Sequence, residues 1–166
     1  MVYLFCLENS LENYNVAKLL KTMNIFEAIR DDHDTQRDLL GKLVKTSGDT
    51  KNRDEIFKAV KNQLQVHADA EERYFYKPLI SNDMMQEHAR HGIAEHHEID
   101  ELIEQLENTD YDSSAWLKIA KDLKHKVEHH LEEEEHTFFQ LAGKVFSQTQ
   151  KTDLAKSYKK HMTSNL

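Results

Sequence analysis

HADAEERYFY at residues 67–76 and HLEEEEHTFF at residues 130–139 share one pattern: a histidine, a glutamate four residues later, and a pair of aromatic residues beyond it. The same offset of 63 residues superimposes His33 on His96. It also aligns the apolar positions around them, placing Leu40, Leu43, Ile56, Val60 and Leu64 on Ile103, Leu106, Ile119, Leu123 and Val127. One offset matches polar and apolar positions together, which indicates an internal repeat of a helical pair.

Four long segments carry apolar residues at steps of three, four and seven, which is the periodicity of amphipathic helices. They span about 24–45, 54–76, 83–107 and 113–145, with polar clusters between them. Short connections favour antiparallel neighbours, so the sequence predicts an all-α, up-and-down four-helix bundle. A further apolar stripe at 152–162 predicts a short C-terminal helix that closes the bundle.

The domain organisation follows from where this register begins. Residues 1–22 do not share it, and they are predicted to be an N-terminal extension. Residues 23–166 are predicted to form the bundle as one domain, a length that can bury a sizeable core.

Composition narrows the range of functions. The chain has a formal net charge of −8, which argues against a nucleic-acid partner because phosphate binding needs a concentrated basic face. Its longest uninterrupted apolar stretch, residues 1–7, is too short to span a membrane and lacks the basic start of a signal peptide. One cysteine cannot form an internal disulfide. We therefore expect a soluble, cytoplasmic protein.

The repeated histidines and glutamates lie on predicted core faces, where unpaired polar groups would each cost about 1–3 kcal/mol. Two such helix pairs, packed about a pseudo-twofold axis, bring four histidines and two glutamates toward one point. A metal removes the burial penalty: each imidazole supplies one nitrogen, and each carboxylate can bridge two ions. Mixed nitrogen and oxygen ligation with vacant positions suits iron or manganese better than structural zinc. The candidate metal ligands are His33, His67, Glu71, His96, His130 and Glu134.

The simpler interpretation of each histidine on a core face is that it binds no metal and forms a hydrogen bond with a nearby acceptor. The other histidines fit the metal pattern less well: His125, His129, His136 and His161 fall off the repeated register and are predicted to lie at the surface, and His97 is predicted to point away from His96. His91 is a candidate extra ligand. Glu72 and Glu135 each follow a proposed ligand, and they are either hydrogen-bond acceptors for the ligands or exposed.

These segments resemble the hemerythrin-like family, often called HHE cation-binding domains. The resemblance rests on Asp32-His33, 67–76, Glu95-His96 and 129–139, and it covers about residues 24–146. It implies that His33 and His67 hold one iron, that His96 and His130 hold the other, and that Glu71 and Glu134 bridge them.

The sequence departs from the oxygen-carrying members of that family at Gly92, where they have a further histidine four residues before the His96 position. The resemblance therefore implies a non-haem di-iron protein that binds, senses or responds to O₂, NO or oxidative stress, or that handles iron. The alternative is a metal-dependent redox enzyme that consumes peroxide or oxygen. No feature of the sequence names an organic substrate, which favours the binding role over the enzyme.

Overall fold

The computed structural model describes residues 23–166, so the extension predicted at 1–22 lies outside the described residues. Between residues 23 and 166 every regular element is helical. The α-helices are α1 (Ile25–Leu43), α2 (Lys51–Glu71), α3 (Lys77–Leu79), α4 (Gln86–Glu107), α5 (Ser114–Glu133), α6 (Phe139–Val145) and α7 (Gln148–Asn165), and two π-helical turns are π1 (Glu72–Tyr76) and π2 (Glu134–Phe138).

Polar side chains fix where the long helices begin. The side chain of Asn24 accepts hydrogen bonds from the backbone at the start of α1, and the carboxylate of Glu27 accepts one from the backbone N–H of Asn24. Thr50 and Ser113 cap α2 and α5. Asn24 with Glu27 forms a capping box at the start of α1, and Ser147 with Gln150 forms a second one at the start of α7. Such caps satisfy N–H groups that have no partner within the helix. They set the boundaries within a few residues of those predicted from the sequence.

The predicted bundle is confirmed. Helices α1 and α2 pack against each other, as do α4 and α5, and contacts of α1 with α5 and of α2 with α4 close the ring. Helix α7 packs on α1 and α2. It has 18 residues, nearly as many as α1, and is thus longer than the short closing helix predicted at 152–162. The capping box at Ser147 starts it earlier than its apolar stripe suggested.

A π-helical turn follows or includes each predicted glutamate ligand. π1 begins directly after Glu71, and π2 begins at Glu134. A π-turn inserts extra backbone into an α-helix and is common at functional sites. Here the two turns lie within one residue of the positions that the 63-residue offset relates, so the internal repeat extends to local backbone geometry.

The core divides into two apolar clusters with a polar layer between them. One cluster, rich in aromatic rings, includes Phe26, Phe75, Tyr76, Phe138, Phe139, Phe146 and Tyr158. The other, mostly aliphatic around Trp116, includes Leu40, Leu43, Val60, Ile103, Leu123 and Val127. The buried histidines and glutamates lie between the two clusters along the bundle. No helix within residues 23–166 is both long and apolar enough to cross a membrane.

Candidate metal centre

The fold brings all six predicted ligand residues together. His33 comes from α1, His67 and Glu71 from the last turns of α2, His96 from α4, and His130 from α5. Glu134 is the first residue of π2. Each of the six is at most 5% exposed, so they form a buried polar layer.

Glu71 lies at the middle of this layer. Its Oε2 is 3.2 Å from Nε2 of His96 and 3.5 Å from Nε2 of His67. Its carboxylate also lies 4.0 Å from Nε2 of both His33 and His130. Two groups of possible ligand atoms result, one with His33 and His67 and one with His96 and His130, and Glu71 belongs to both.

Glu134 does not mirror Glu71, although the sequence repeat relates the two. Its Oε2 is 3.3 Å from Nε2 of His33, but it belongs to neither group of possible ligand atoms. The two-fold relation of the sequence is therefore only approximate in the arrangement of the carboxylates.

Every one of the four histidines has a hydrogen-bond partner on its Nδ1 atom. The partners of His33 and His96 are Glu135 at 2.7 Å and Glu72 at 3.0 Å. The partner of His130 is Glu95 at 2.8 Å. These bonds hold each ring with Nε2 toward the centre, the arrangement found for metal-bound histidines.

The fourth partner comes from outside the four-helix bundle. Nδ1 of His67 lies 2.7 Å from the hydroxyl of Tyr158 on α7. Tyr158 is fully buried and also packs its ring edge-on to His67. Helix α7 thus contributes directly to the site.

Sequence reasoning missed two of these partners. Glu95 precedes His96 as Asp32 precedes His33, and this repeated acid-histidine pair was a usable signal. Tyr158 has no counterpart in the repeat, and only the packing of α7 brings it to His67.

The residues pass a direct test of whether they could hold a cation. Polar atoms that point inward have no hydrogen-bond partner among the described residues, namely Nε2 of His33 and His67, both oxygens of Glu71 and Glu134, and the hydroxyl of Tyr76. Leaving a polar group unpaired in a core costs about 1–3 kcal/mol or more. A cation bound by these nitrogens and oxygens would remove most of that cost, so the donor set fits a metal.

The buried groups of the layer shift one another's pKa values. Burial raises the pKa of Glu134 to about 8, with a further contribution from the carboxylate of Glu71. Burial alone would also raise the pKa of Glu71, but His67 and His96 outweigh it and hold that pKa well below its usual value. The two glutamates therefore sit in opposite electrostatic environments.

The histidines also differ from one another. Burial lowers the pKa of His33, but Glu134 and Glu135 outweigh it and raise that pKa to about 9. The carboxylates of Glu71 and Glu72 likewise outweigh burial and raise the pKa of His96 to about 9. Burial dominates at His67 and His130 and lowers the pKa of both.

The remaining histidines lie mostly where the sequence predicted. His97, His125, His129 and His136 are exposed. His161 is a correction, because its side chain is only 14% exposed and contacts Asp69 at 2.9 Å. The side chain of His91 is 54% exposed and lies outside the buried layer.

Gly92, the point of departure from the oxygen carriers, faces Tyr76. A Cβ atom at residue 92 would lie 2.5 Å from the hydroxyl oxygen of Tyr76, far inside any real contact. The Tyr76 ring is fully buried and stacks between His96 and Phe138. The phenol therefore fills the space beside the centre that a side chain at residue 92 would need.

The fold and this buried histidine–glutamate layer define a helical bundle of the cation-binding class. The sequence profile of the Hemerythrin HHE cation binding domain matches residues 24–142, and the chain belongs to that family. Helix α7, with Tyr158, lies beyond the matched region.

A solved structure supports the fold. A Hemerythrin HHE cation binding domain-containing protein from Mycobacterium kansasii superposes with a TM-score of 0.76 at 18% identity, covering 86% of this chain and 87% of its own. A search of curated protein sequences found no match.

Proposed function

We propose that this chain is a non-haem di-iron protein, with His33 and His67 holding one iron and His96 and His130 the other. The observation that carries the proposal is the pair of possible ligand groups that share Glu71. A carboxylate has two oxygens, so a shared glutamate suits a bridge between two ions. Iron fits imidazole and carboxylate donors together, whereas structural zinc prefers four closed ligands.

Glu134 is proposed as the second bridge. Both of its oxygens are buried and without a hydrogen-bond partner among the described residues, and its Oε2 lies 3.3 Å from Nε2 of His33. Burial and the neighbouring carboxylate of Glu71 raise its pKa, and a cation beside it would favour the charged carboxylate.

The proposed role is to bind or sense a small molecule such as O₂ or NO, to respond to oxidative stress, or to handle iron. A bound iron would supply redox chemistry and open positions for such a ligand. A small cavity supports this role, since it reaches the centre between π1, α4 and π2 and is lined by Tyr76, Gly92, His130 and Glu134. The unpartnered hydroxyl of Tyr76 can donate a hydrogen bond to a small molecule there.

The same cavity supports the alternative, a redox enzyme that consumes peroxide or oxygen. Its volume of about 20 Å³ accommodates one water-sized molecule, which suits a small oxidant better than an organic substrate. The two roles differ in turnover, because an enzyme consumes many equivalents of peroxide and a sensor changes state once.

Visible spectroscopy with metal analysis tests the proposal. Aerobically purified protein should contain iron and absorb visible light, and its spectrum should change on addition of NO or peroxide. A colourless protein that holds a single tightly bound zinc would refute both roles. Catalytic peroxide loss over many equivalents would favour the enzyme.

A further inference from the structure

A second group of possible metal ligands lies beside the buried centre, with two exposed side chains and the buried Glu95. Nε2 of His91 is 3.7 Å from Oε2 of Glu95 and 3.6 Å from Oε2 of Glu133, and the three ligand atoms lie within 4.8 Å of one another. The side chains of His91 and Glu133 are 54% and 40% exposed. A cation can therefore reach this group from solvent without any movement of the bundle.

The group opens onto the cavity that reaches the buried layer. His91, Glu95 and Glu133 line that cavity together with Glu134 and Tyr76 of the interior. Both oxygens of Glu134 and the hydroxyl of Tyr76 are buried there without hydrogen-bond partners. One small cavity thus joins the exposed side chains of His91 and Glu133 to unpartnered oxygen atoms inside.

Entry of an ion into the centre needs such a route, because each of the six inner residues is at most 5% exposed. The aromatic and aliphatic clusters cover the two ends of the layer, and an unpaired ion crossing apolar packing would meet a large desolvation cost. A path with oxygen and nitrogen ligands at each step lowers that cost.

We propose that His91, Glu95 and Glu133 capture a divalent first-row cation from solvent and pass it through this cavity to Glu134. This entry role rests on the proposed metal centre. The mixed nitrogen and oxygen donors suit Fe²⁺ or Mn²⁺.

The surroundings make this a transit site rather than a storage site. Glu95 is already engaged on both oxygens, by Nδ1 of His130 at 2.8 Å and by Nζ of Lys126 at 3.0 Å. His129 also lies near, with Nδ1 3.9 Å from Oε1 of Glu95. His91 and Glu133 supply ligand atoms that no such partner within residues 23–166 occupies, whereas Glu95 shares an oxygen that His130 already contacts, so a captured ion is held weakly and can move on. Glu95 is the link, since its Oε2 lies 3.7 Å from Nε2 of His91 and 2.8 Å from Nδ1 of the inner histidine His130.

The test is the rate at which the reduced, metal-free full chain takes up Fe²⁺ without oxygen, followed by stopped flow. The double variant His91→Ala/Glu133→Gln should take up iron at least about tenfold more slowly, within the range by which charged entrances raise on-rates. Its final iron content should equal that of the unmodified protein. The matched control is the double variant His97→Ala/Glu101→Gln. These two residues are an exposed pair on α4, with Nε2 of His97 3.6 Å from Oε1 of Glu101, and they do not line the cavity. The control should load at the normal rate.

A second measurement counts surface binding directly. Titration of iron-loaded protein with Mn²⁺, with free Mn²⁺ followed by electron paramagnetic resonance, should reveal one weak extra site that the double variant lacks. An unchanged uptake rate in the double variant would overturn the entry role and leave the proposed centre intact. A loss of final iron content would also overturn it, because His91 and Glu133 would then belong to the centre itself. An unmodified protein that takes up no iron would refute the proposed function.

Discussion

The hydroxyl of Tyr76 occupies the space that a side chain at Gly92 would fill. A Cβ atom at residue 92 would lie 2.5 Å from that oxygen and 2.6 Å from the ring carbon that bears it. The ring is held by stacking on His96 and Phe138, with centroids 5.5 Å and 5.3 Å away. The position of the Tyr76 ring therefore requires glycine at residue 92. The extra histidine of the oxygen carriers has no room beside this ring.

This relationship predicts that Gly92→Ala destabilises the protein, although alanine is the better helix former. Overpacking of a rigid core typically costs about 1–3 kcal/mol in the free energy of unfolding. Gly41→Ala in α1 is the matched control, because a Cβ atom there meets nothing within 4 Å. That change should stabilise by about 0.5–1 kcal/mol. Urea unfolding of the two variants measures both effects, and a stabilised Gly92→Ala would show that Tyr76 is free to move.

Replacing Glu71 with alanine should empty both proposed metal positions, because Glu71 belongs to both groups of ligand atoms. Glu134→Ala should also lower the iron content. Glu132→Ala, an exposed change two residues away, is the control and should leave the iron content unchanged. Metal analysis of the purified variants gives the result. Equal iron content in the Glu132 and Glu134 variants would contradict the proposed ligand set.

Tyr158→Phe should weaken iron binding, because it removes the hydrogen bond that orients His67. Loss of such an outer partner typically costs about 10- to 100-fold in metal affinity. Tyr111→Phe removes a tyrosine hydrogen bond to Asp54, away from the centre, and should leave the affinity unchanged. Competition with a coloured chelator measures the two affinities. Equal affinities would mean that α7 only covers the bundle.

The metal-free protein should lose stability as the pH rises. The folded-state pKa values of His33 and His96 are raised to about 9, so their stabilisation is complete below the ordinary histidine pKa of 6.5 and is lost as the pH rises through 9. The raised pKa of Glu134, about 8, acts in the same direction above 4.5. Urea unfolding of metal-free protein at pH 6 and pH 9 checks the sign.

Bound metal should reverse that dependence at the centre. Metal and protons compete for the same histidine nitrogens, so iron uptake should release protons and strengthen with rising pH.

For the metal-free protein, equal stability at pH 6 and pH 9 would contradict the raised pKa values of His33 and His96.

The sequence predicted most of this architecture because its signals were local and repeated. Helical periodicity located the four long helices, and the 63-residue offset between His67 and His130 identified the residues that the fold brings together. Caps moved the boundaries by a few residues, and the capping box at Ser147 lengthened α7. The apolar pattern did not predict the π-turns, because a π-turn changes backbone hydrogen bonding and not which residues are apolar.

Tertiary packing decided what the sequence did not reveal. Tyr158 reaches His67 only because α7 folds back along α1 and α2. Glu71 lies within 4.0 Å of four histidine side chains, whereas Glu134 lies 3.3 Å from His33 and belongs to neither group of ligand atoms. The 63-residue repeat aligns the two glutamates and does not predict this difference.

Iron titration of the reduced, metal-free full chain without oxygen tests the central claim most directly. Two groups of ligand atoms that share Glu71 predict saturation at two iron ions per chain. Saturation at one ion per chain would contradict the dinuclear centre and leave Glu71 as a ligand of a single metal.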